Sequence, residues 1–189
     1  MLKKTIGAAL LAALPLMAQN SAEIDLNSDD IEIAGKYELG QSFDYDGRSS
    51  RNYLHAAYLY SGESHTRGKN LVEFGYLATG TLGDFTRLRF GIGIKAALAE
   101  DYVAVPLGLT VHYRVPVEWP VSLSGEVYAA PDPLVFSDGK GYGGYRFGVE
   151  SKLIPNATIY AGYRNIDLKY KDDSKNFNDG WYAGVRFYF

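Results

Sequence analysis

The sequence predicts an all-β fold, a transmembrane antiparallel up-and-down β-barrel of eight strands, with ten as the alternative count. Two observations favour this class: apolar residues alternate with polar or small ones in segment after segment, and residues 1–18 resemble a cleaved secretory signal peptide. A third is the absence of cysteine, which excludes disulfide bonds and thiolate metal sites as sources of stability. A closed barrel suits such a chain because closure leaves no sheet edge unpaired.

The predicted signal peptide has a basic start followed by a short apolar stretch. Two lysines precede residues 6–17, a stretch too short to cross a bilayer as a helix, and Ala18 is a small residue at the expected cleavage position. We expect residues 1–18 to be removed and residues 19–189 to form an outer-membrane β-barrel domain. Removal of two lysines and no acid takes the net charge from -3 to -5, which argues against a nucleic-acid-binding protein.

The clearest predicted strand is 102–115, in which seven alternate positions from Val103 to Val115 are apolar. Pro106 cannot donate to the strand ladder, so we expect local distortion there. Further alternating segments are 52–61, 69–79, 84–97, 119–130, 141–153, 157–170 and 181–189.

These segments give eight strands, and the N-terminal region complicates the count. Residues 31–46 also alternate, and a ninth strand would break the even number typical of bacterial single-chain barrels. Either this segment and 24–26 add a hairpin, making ten strands, or the segment packs outside an eight-strand wall. In segment 157–170 the apolar face changes near Asn165, which predicts a β-bulge there.

The connections between segments also differ in length. Short links at 79–84, 115–119 and 154–156 alternate with longer polar ones at 61–69, 130–141 and 171–179. This is typical of short periplasmic turns and long extracellular loops.

Charged residues on the inward face predict a lumen that contains salt bridges. We expect Asp167 to be one of the acids there, in addition to the network named next. The predicted network consists of Arg87, Arg89, Lys95, Arg114, Glu126, Arg146, Glu150 and Arg164. One interpretation is a selective passage. The other is an interior network that fixes strand register and fills a barrel too narrow for water flow, since eight strands leave an interior just wide enough for side chains.

The last nine residues alternate up to the C-terminus. Trp181, Val185, Phe187 and Phe189 share one face, and the pattern resembles the terminal-strand signal that the outer-membrane assembly machinery recognises. Aromatic residues near predicted strand ends indicate girdles at the two membrane interfaces; they are Tyr102, Tyr113, Trp119, Tyr128, Tyr142, Tyr170, Trp181 and Phe189.

Two alternatives stay open, a lipid A-modifying outer-membrane enzyme and a soluble periplasmic lipocalin-like barrel. The three histidines, His55, His65 and His112, have no serine at a spacing that suggests a nucleophile and base pair. No phosphate-binding Gly-Lys motif or metal-ligand cluster is present in the sequence. We therefore expect no catalytic residues, no metal and no cofactor.

Three stretches carry a family resemblance: 125–128 with Pro131 and Asp132, then 161–168, and 179–185. They are similar to the YfaZ family of small outer-membrane proteins, most strongly over the C-terminal third. The resemblance implies a location in the bacterial outer membrane and a barrel architecture, and it implies no activity. The expected partners are outer-membrane lipid and lipopolysaccharide, with the assembly machinery and periplasmic chaperones during biogenesis. We expect a monomer with a structural or loop-mediated surface role, or narrow passage of small solutes.

Overall fold

The structure is a computed structural model that describes residues 20–43, 49–62, 64, 68–81, 85–171 and 174–189. The predicted signal peptide lies outside the described residues. The strands are β1 (Ser21–Leu26), β2 (Asp30–Phe43), β3 (Ser49–Ser61), β4 (Asn70–Thr81), β5 (Leu88–Ala99), β6 (Tyr102–Ala104), β7 (Leu107–Arg114), β8 (Val121–Ala130), β9 (Val135–Ser137), β10 (Gly139–Ile154), β11 (Ala157–Tyr170) and β12 (Ser174–Tyr188). A 3₁₀-helical turn, Asp132–Leu134, precedes β9. The described part of the chain has no helix long and apolar enough to cross a membrane.

Ten of these strands form a closed antiparallel barrel in the order β1-β2-β3-β4-β5-β7-β8-β10-β11-β12. The barrel closes where β1 pairs with β12, from Ser21 opposite Tyr188 to Leu26 opposite Ala183. The predicted count of eight is therefore wrong, and the alternative of an added N-terminal hairpin, β1 with β2, is confirmed. Without this hairpin β3 and β12 would present unpaired edges, and the hairpin supplies their missing backbone partners.

The strand predicted over 102–115 is interrupted at Pro106, as expected. Both β6 and β7 keep one register against β5, with Ala104 opposite Ala97 and Leu107 opposite Ile94. Between them Val105 donates its N–H to Leu134 O at 2.8 Å instead of to a barrel strand. The short strands β6 and β9 pair with each other. The segment after β8 thus gives β6 the backbone partner that β8 itself gives to β7.

A β-bulge lies beside Asn165, as predicted, but its extra residue is on β12 and not on β11. The pairing of β11 with β10 is regular through Asn165, and the irregularity lies in β12, where Phe177 is the extra residue. The apolar face changes because Ile166 and Leu168 point into the barrel, where they are 8% and 0% exposed. At this height the barrel interior itself is apolar.

We call the end of the barrel that holds Ser21 and Tyr188 the terminal end, and the opposite end the loop end. The two longest connections, 62–69 and 131–138, both lie at the loop end, as the sequence predicts. The predicted long link at 171–179 is wrong, because β12 already begins at Ser174.

Buried apolar residues fill the interior at the loop end, and we call this set the apolar cap. The apolar cap consists of Leu59, Leu71, Ala97, Tyr102, Ala104, Tyr128, Ala130, Val135, Tyr142, Ile166, Leu168, Tyr170 and Phe177. The girdle prediction is therefore wrong for Tyr102, Tyr128, Tyr142 and Tyr170, which lie inside the barrel. A ten-stranded barrel is wider than the eight-stranded barrel that side chains just fill, so large rings are needed to pack it.

Glycines on the inner face make room for these rings. A Cβ atom on Gly93 would lie 2.3 Å from the Tyr128 hydroxyl oxygen, and one on Gly108 would lie 2.3 Å from Tyr128 Cδ1. The tyrosine ring thus lies directly against the backbone of β5 and β7. The inward glycines of 84–97 serve interior packing, which a strand pattern alone does not reveal.

Candidate functional site: the barrel lumen

Among the described residues, three ion-pair clusters lie in the lumen between the apolar cap and the terminal end, and a separate pair joins Arg51 to Glu38 at 3.9 Å. The first is the Lys95 cluster, in which Lys95 Nζ is 3.1 Å from Glu73 Oε2 and 4.0 Å from Glu126 Oε1. Tyr142 donates its hydroxyl to Glu73 Oε1 at 2.8 Å, and the Lys95 ammonium lies 3.9 Å from the centroid of the Tyr128 ring. The ammonium is thus held by two carboxylates and an aromatic face, directly below the apolar cap.

The second is the Arg146–Arg164 cluster, which joins the N-terminal hairpin to the C-terminal strands. Arg146 pairs with Asp25 and lies 3.1 Å from Glu32 Oε2. Arg164 pairs with Glu32, lies 3.8 Å from Asp25, and donates from Nε to Asn178 Oδ1 at 2.7 Å. Two guanidinium groups and two carboxylates balance each other here, so the buried charges are paired.

The third is the Arg186 cluster, nearer the terminal end. Arg186 lies between two carboxylates, with Nε 2.8 Å from Glu23 Oε1 and Nη1 2.9 Å from Glu150 Oε2. Lys36 Nζ is 3.4 Å from Glu23 Oε1, and His112 Nε2 is 3.7 Å from Glu150 Oε2. Arg186, on β12, therefore connects Glu23 on the neighbouring strand β1 to Glu150 on β10, beyond β11.

The space left among these clusters is small. A cavity of about 50 Å³ is lined by side chains from all three, among them Glu23, Lys95, Arg146 and Arg164. This volume holds about three or four water molecules. Within the described residues, no group of three or more His, Asp or Glu side chains could hold a metal ion.

The outer face of the wall has the opposite character. Ile92, Leu109 and Val127 are neighbours across β5, β7 and β8 and are 69%, 58% and 50% exposed. On β10 to β12 the outward rings of Tyr145, Phe147, Tyr163 and Trp181 contact one another, with centroids between 5.5 and 6.5 Å apart. Below the apolar cap, paired charges therefore lie inside the barrel, and large apolar side chains lie outside.

A family model described as YfaZ precursor matches residues 9–189, nearly the whole chain. The chain belongs to the YfaZ family. The KdgM porin structure is similar to this YfaZ protein with 11% identity and a TM-score of 0.43, covering 91% of this chain and 99% of the porin chain. A NanC porin structure is similar with 12% identity and a TM-score of 0.43, covering 90% and 99% of the respective chains. No curated protein matches the sequence.

In this YfaZ protein the eight residues of the predicted lumen network fall into two groups. The structure places five of them in the ion-pair clusters: Lys95, Glu126, Arg146, Glu150 and Arg164. The other three, Arg87, Arg89 and Arg114, lie at the terminal end, and none has an ion pair among the described residues.

Asp167, which was expected in the lumen, is on the outer face. It lies between the inward Ile166 and Leu168 on β11.

Six acidic, lysine or arginine residues of the clusters were not assigned to the network from the sequence: Glu23, Asp25, Glu32, Lys36, Glu73 and Arg186. The alternation of β2 places Glu32 and Lys36 on the same face of that strand. The alternation of β12 places Arg186 on the face that points away from Trp181. These patterns give the face, but the position of the β1–β2 hairpin in the wall was needed to identify the partners.

The residues proposed as an assembly signal lie on the outer face of the wall. Trp181, Phe187 and Phe189 are 71%, 50% and 42% exposed, and Val185 is half-buried between them. They form an apolar strip on the strand that closes the barrel against β1.

Proposed function

We propose that this protein is an integral outer-membrane β-barrel without enzymatic activity, with a structural or loop-mediated role at the cell surface. The observation that supports this proposal is the distribution of side chains, which is the reverse of that in a soluble protein: paired charges lie inside and exposed large apolar residues lie outside. Leu109, Ile92 and Phe147 are examples of such outward residues. Only a wall surrounded by lipid makes this arrangement favourable, since exposing large contiguous apolar surface to water is costly.

The same distribution argues against a soluble periplasmic lipocalin-like barrel. Such a barrel needs an apolar interior for its ligand and a polar exterior for solubility. Here the middle of the lumen holds Lys95, Arg146, Arg164 and Arg186 with their carboxylate partners. The cavity among them is lined by the charged side chains of Glu23, Lys95 and Arg146, which a lipophilic ligand would leave buried and without water.

In the proposed orientation the terminal end faces the periplasm and the loop end faces outward. The two longest connections then lie outside the cell, as in other barrels of this class. Outer-membrane lipid and lipopolysaccharide would surround the wall, and the assembly machinery would recognise the strip from Trp181 to Phe189. We propose a monomer, because closure of β1 against β12 satisfies the edge strands within one chain.

The lumen supports at most a narrow passage. The apolar cap fills the loop end, and the cavity below it holds only a few waters. Passage of even a small solute would require displacement of the apolar cap. The three clusters would then fix strand register and fill the barrel in the closed state.

A lipid A-modifying enzyme is less well supported. His112 contacts Glu150 and has no hydroxyl partner among the described residues, and buried His55 Nδ1 has no hydrogen-bond partner there. His65 lies outside the described residues. Ser124 is opposite His112 in the strand register, but neither described histidine forms a hydrogen bond with a serine hydroxyl, which a nucleophile and base pair needs.

The first experiment is fractionation of expressing Gram-negative cells, followed by gel electrophoresis of boiled and unboiled outer membranes. We expect a membrane-embedded band that migrates differently after boiling, and bilayer recordings with little or no conductance. A freely soluble periplasmic protein would contradict the assignment of lipid-facing residues. A large steady conductance would contradict the closed lumen.

A further inference from the structure

Four basic residues occupy one corner of the lumen at the terminal end: three lie on the adjacent strands β5 and β7, and Arg87 lies in the turn just before β5. Arg89 is directly opposite His112 in the strand register. Arg114 donates its backbone N–H to Arg87 O at 2.9 Å, so these two residues are the next opposed pair. A turn closed by Leu88 N–H to Phe85 O, at 3.0 Å, sets the position of Arg87. We call Arg87, Arg89, His112 and Arg114 the basic patch.

The basic patch differs from the three clusters because its arginines have no acidic partner in the part of the chain that the structure describes. No carboxylate among the described residues lies within 4.0 Å of Arg87, Arg89 or Arg114, whereas Lys95, Arg146, Arg164 and Arg186 all have one. His112 lies 3.7 Å from Glu150, but Arg186 already holds Glu150 at 2.9 Å. Like charges directly opposite on neighbouring strands are destabilising, so the bare patch has an electrostatic cost.

Hydroxyl groups flank the basic patch on both sides. On β4, Thr81 is opposite Arg89, and on β8, Ser124 and Ser122 are opposite His112 and Arg114. These residues alternate inward with the patch, so guanidinium, imidazole and hydroxyl donors share one surface. Arg87 and Arg114 are exposed and Arg89 is half-buried, which leaves the surface open from the terminal end.

We propose that the basic patch binds a phosphate group presented from the terminal end. Arginine forms paired charged hydrogen bonds with phosphate oxygens and stays charged at all physiological pH values. The opposed arginines approach such a group from two strands, and the hydroxyls supply further donors. The bound anion offsets the repulsion between the opposed residues. This site is additional to the proposed function and requires only that the barrel be folded.

The phosphate could belong to a soluble phosphorylated solute or to a lipid headgroup at the membrane surface, and two probes distinguish these sources. Pyrophosphate is titrated calorimetrically into the detergent-purified full-length barrel at low ionic strength. In parallel, native mass spectrometry measures retention of phosphatidylglycerol. The test variant is Arg89→Gln with Arg114→Gln.

The matched control is Lys140→Gln with Lys169→Gln, which removes the same charge from two exposed residues near the loop end. Heat-modifiability of each variant shows that it is folded, so a folding defect or a soluble protein is detected separately from a loss of binding.

We expect the test variant to bind one of the two probes about a hundredfold more weakly, from the loss of two charged hydrogen bonds, and the control to bind as the wild type does. Pyrophosphate binding with this dependence identifies a soluble phosphate source, and phosphatidylglycerol retention with this dependence identifies a lipid source. Absence of binding to both probes would overturn the proposal. Equal weakening in the test and control variants would also overturn it, because attraction would then depend on net charge alone.

Discussion

Leu109→Arg places a charge in the middle of the apolar outer wall. Leu109 is 58% exposed on β7, and its neighbours Ile92 and Val127 are 69% and 50% exposed at the same height on β5 and β8. In lipid, this row contacts acyl chains. An arginine there must leave water, or its side chain must extend to the interface.

The expected cost follows from depth in the membrane. An arginine at the bilayer midplane destabilises a transmembrane barrel by about 2–4 kcal/mol, and one near the interface by about 0–1 kcal/mol. Val117 offers the interfacial comparison, because it is 55% exposed in the turn between β7 and β8 at the terminal end. Leu109→Arg should therefore be about 2–3 kcal/mol less stable than Val117→Arg.

The measurement is urea unfolding of both variants and the wild type in phospholipid vesicles, with heat-modifiability as the check that each inserts. Both variants add the same charge to an exposed apolar position, so the difference in unfolding free energy isolates the effect of depth. Equal free energies for the two variants, or wild-type stability of Leu109→Arg, would refute the lipid-facing assignment of this row.

Three further predictions concern the interior. Gly108→Ala should lower the unfolding free energy by about 1–3 kcal/mol, because its Cβ would overlap a tyrosine ring; Gly143→Ala, with nothing within 4 Å, is the control, and equal effects would contradict the packing. Glu73→Leu should cost about 3–5 kcal/mol by leaving the Lys95 ammonium without its nearest carboxylate. Adding Lys95→Met should restore most of that loss, and a double variant as unstable as the single one would argue against a buried ion pair. Phe177→Ala, which opens the apolar cap at a fully buried ring, should raise single-channel conductance in planar bilayers, whereas unchanged conductance would show that the apolar cap does not close the lumen.

The inside and outside of most strands could be predicted from the sequence. Side-chain direction in a strand alternates residue by residue, so the pattern of β5 correctly placed Ile92 outward and Lys95 inward. The distortion at Pro106 was also predictable, because a missing N–H is a local property. Such features depend on neighbours along the chain and need no tertiary partner.

The apolar cap was harder to predict because its residues are as apolar as those on the outer face of the barrel. Ile166 and Leu168 look lipid-facing by polarity, yet they lie inside because the loop end of the interior is apolar. Tyr102 and Tyr142 likewise resemble girdle residues in sequence and are buried in the structure. The polarity of its residues shows which face of a strand points inward only where the barrel interior and the surroundings of the outer wall differ in polarity.

By itself the sequence determined the all-β class and the barrel architecture and placed Lys95, Arg146 and Arg164 on inward faces, since each follows from a period of two and from composition. The tertiary structure decided the strand number and the ion-pair partners. Whether the N-terminal hairpin joins the wall depends on hydrogen bonds between β1 and β12, at opposite ends of the chain. Arg146 and Asp25 meet although 121 positions separate them, because closure of the barrel brings the first strand beside the last.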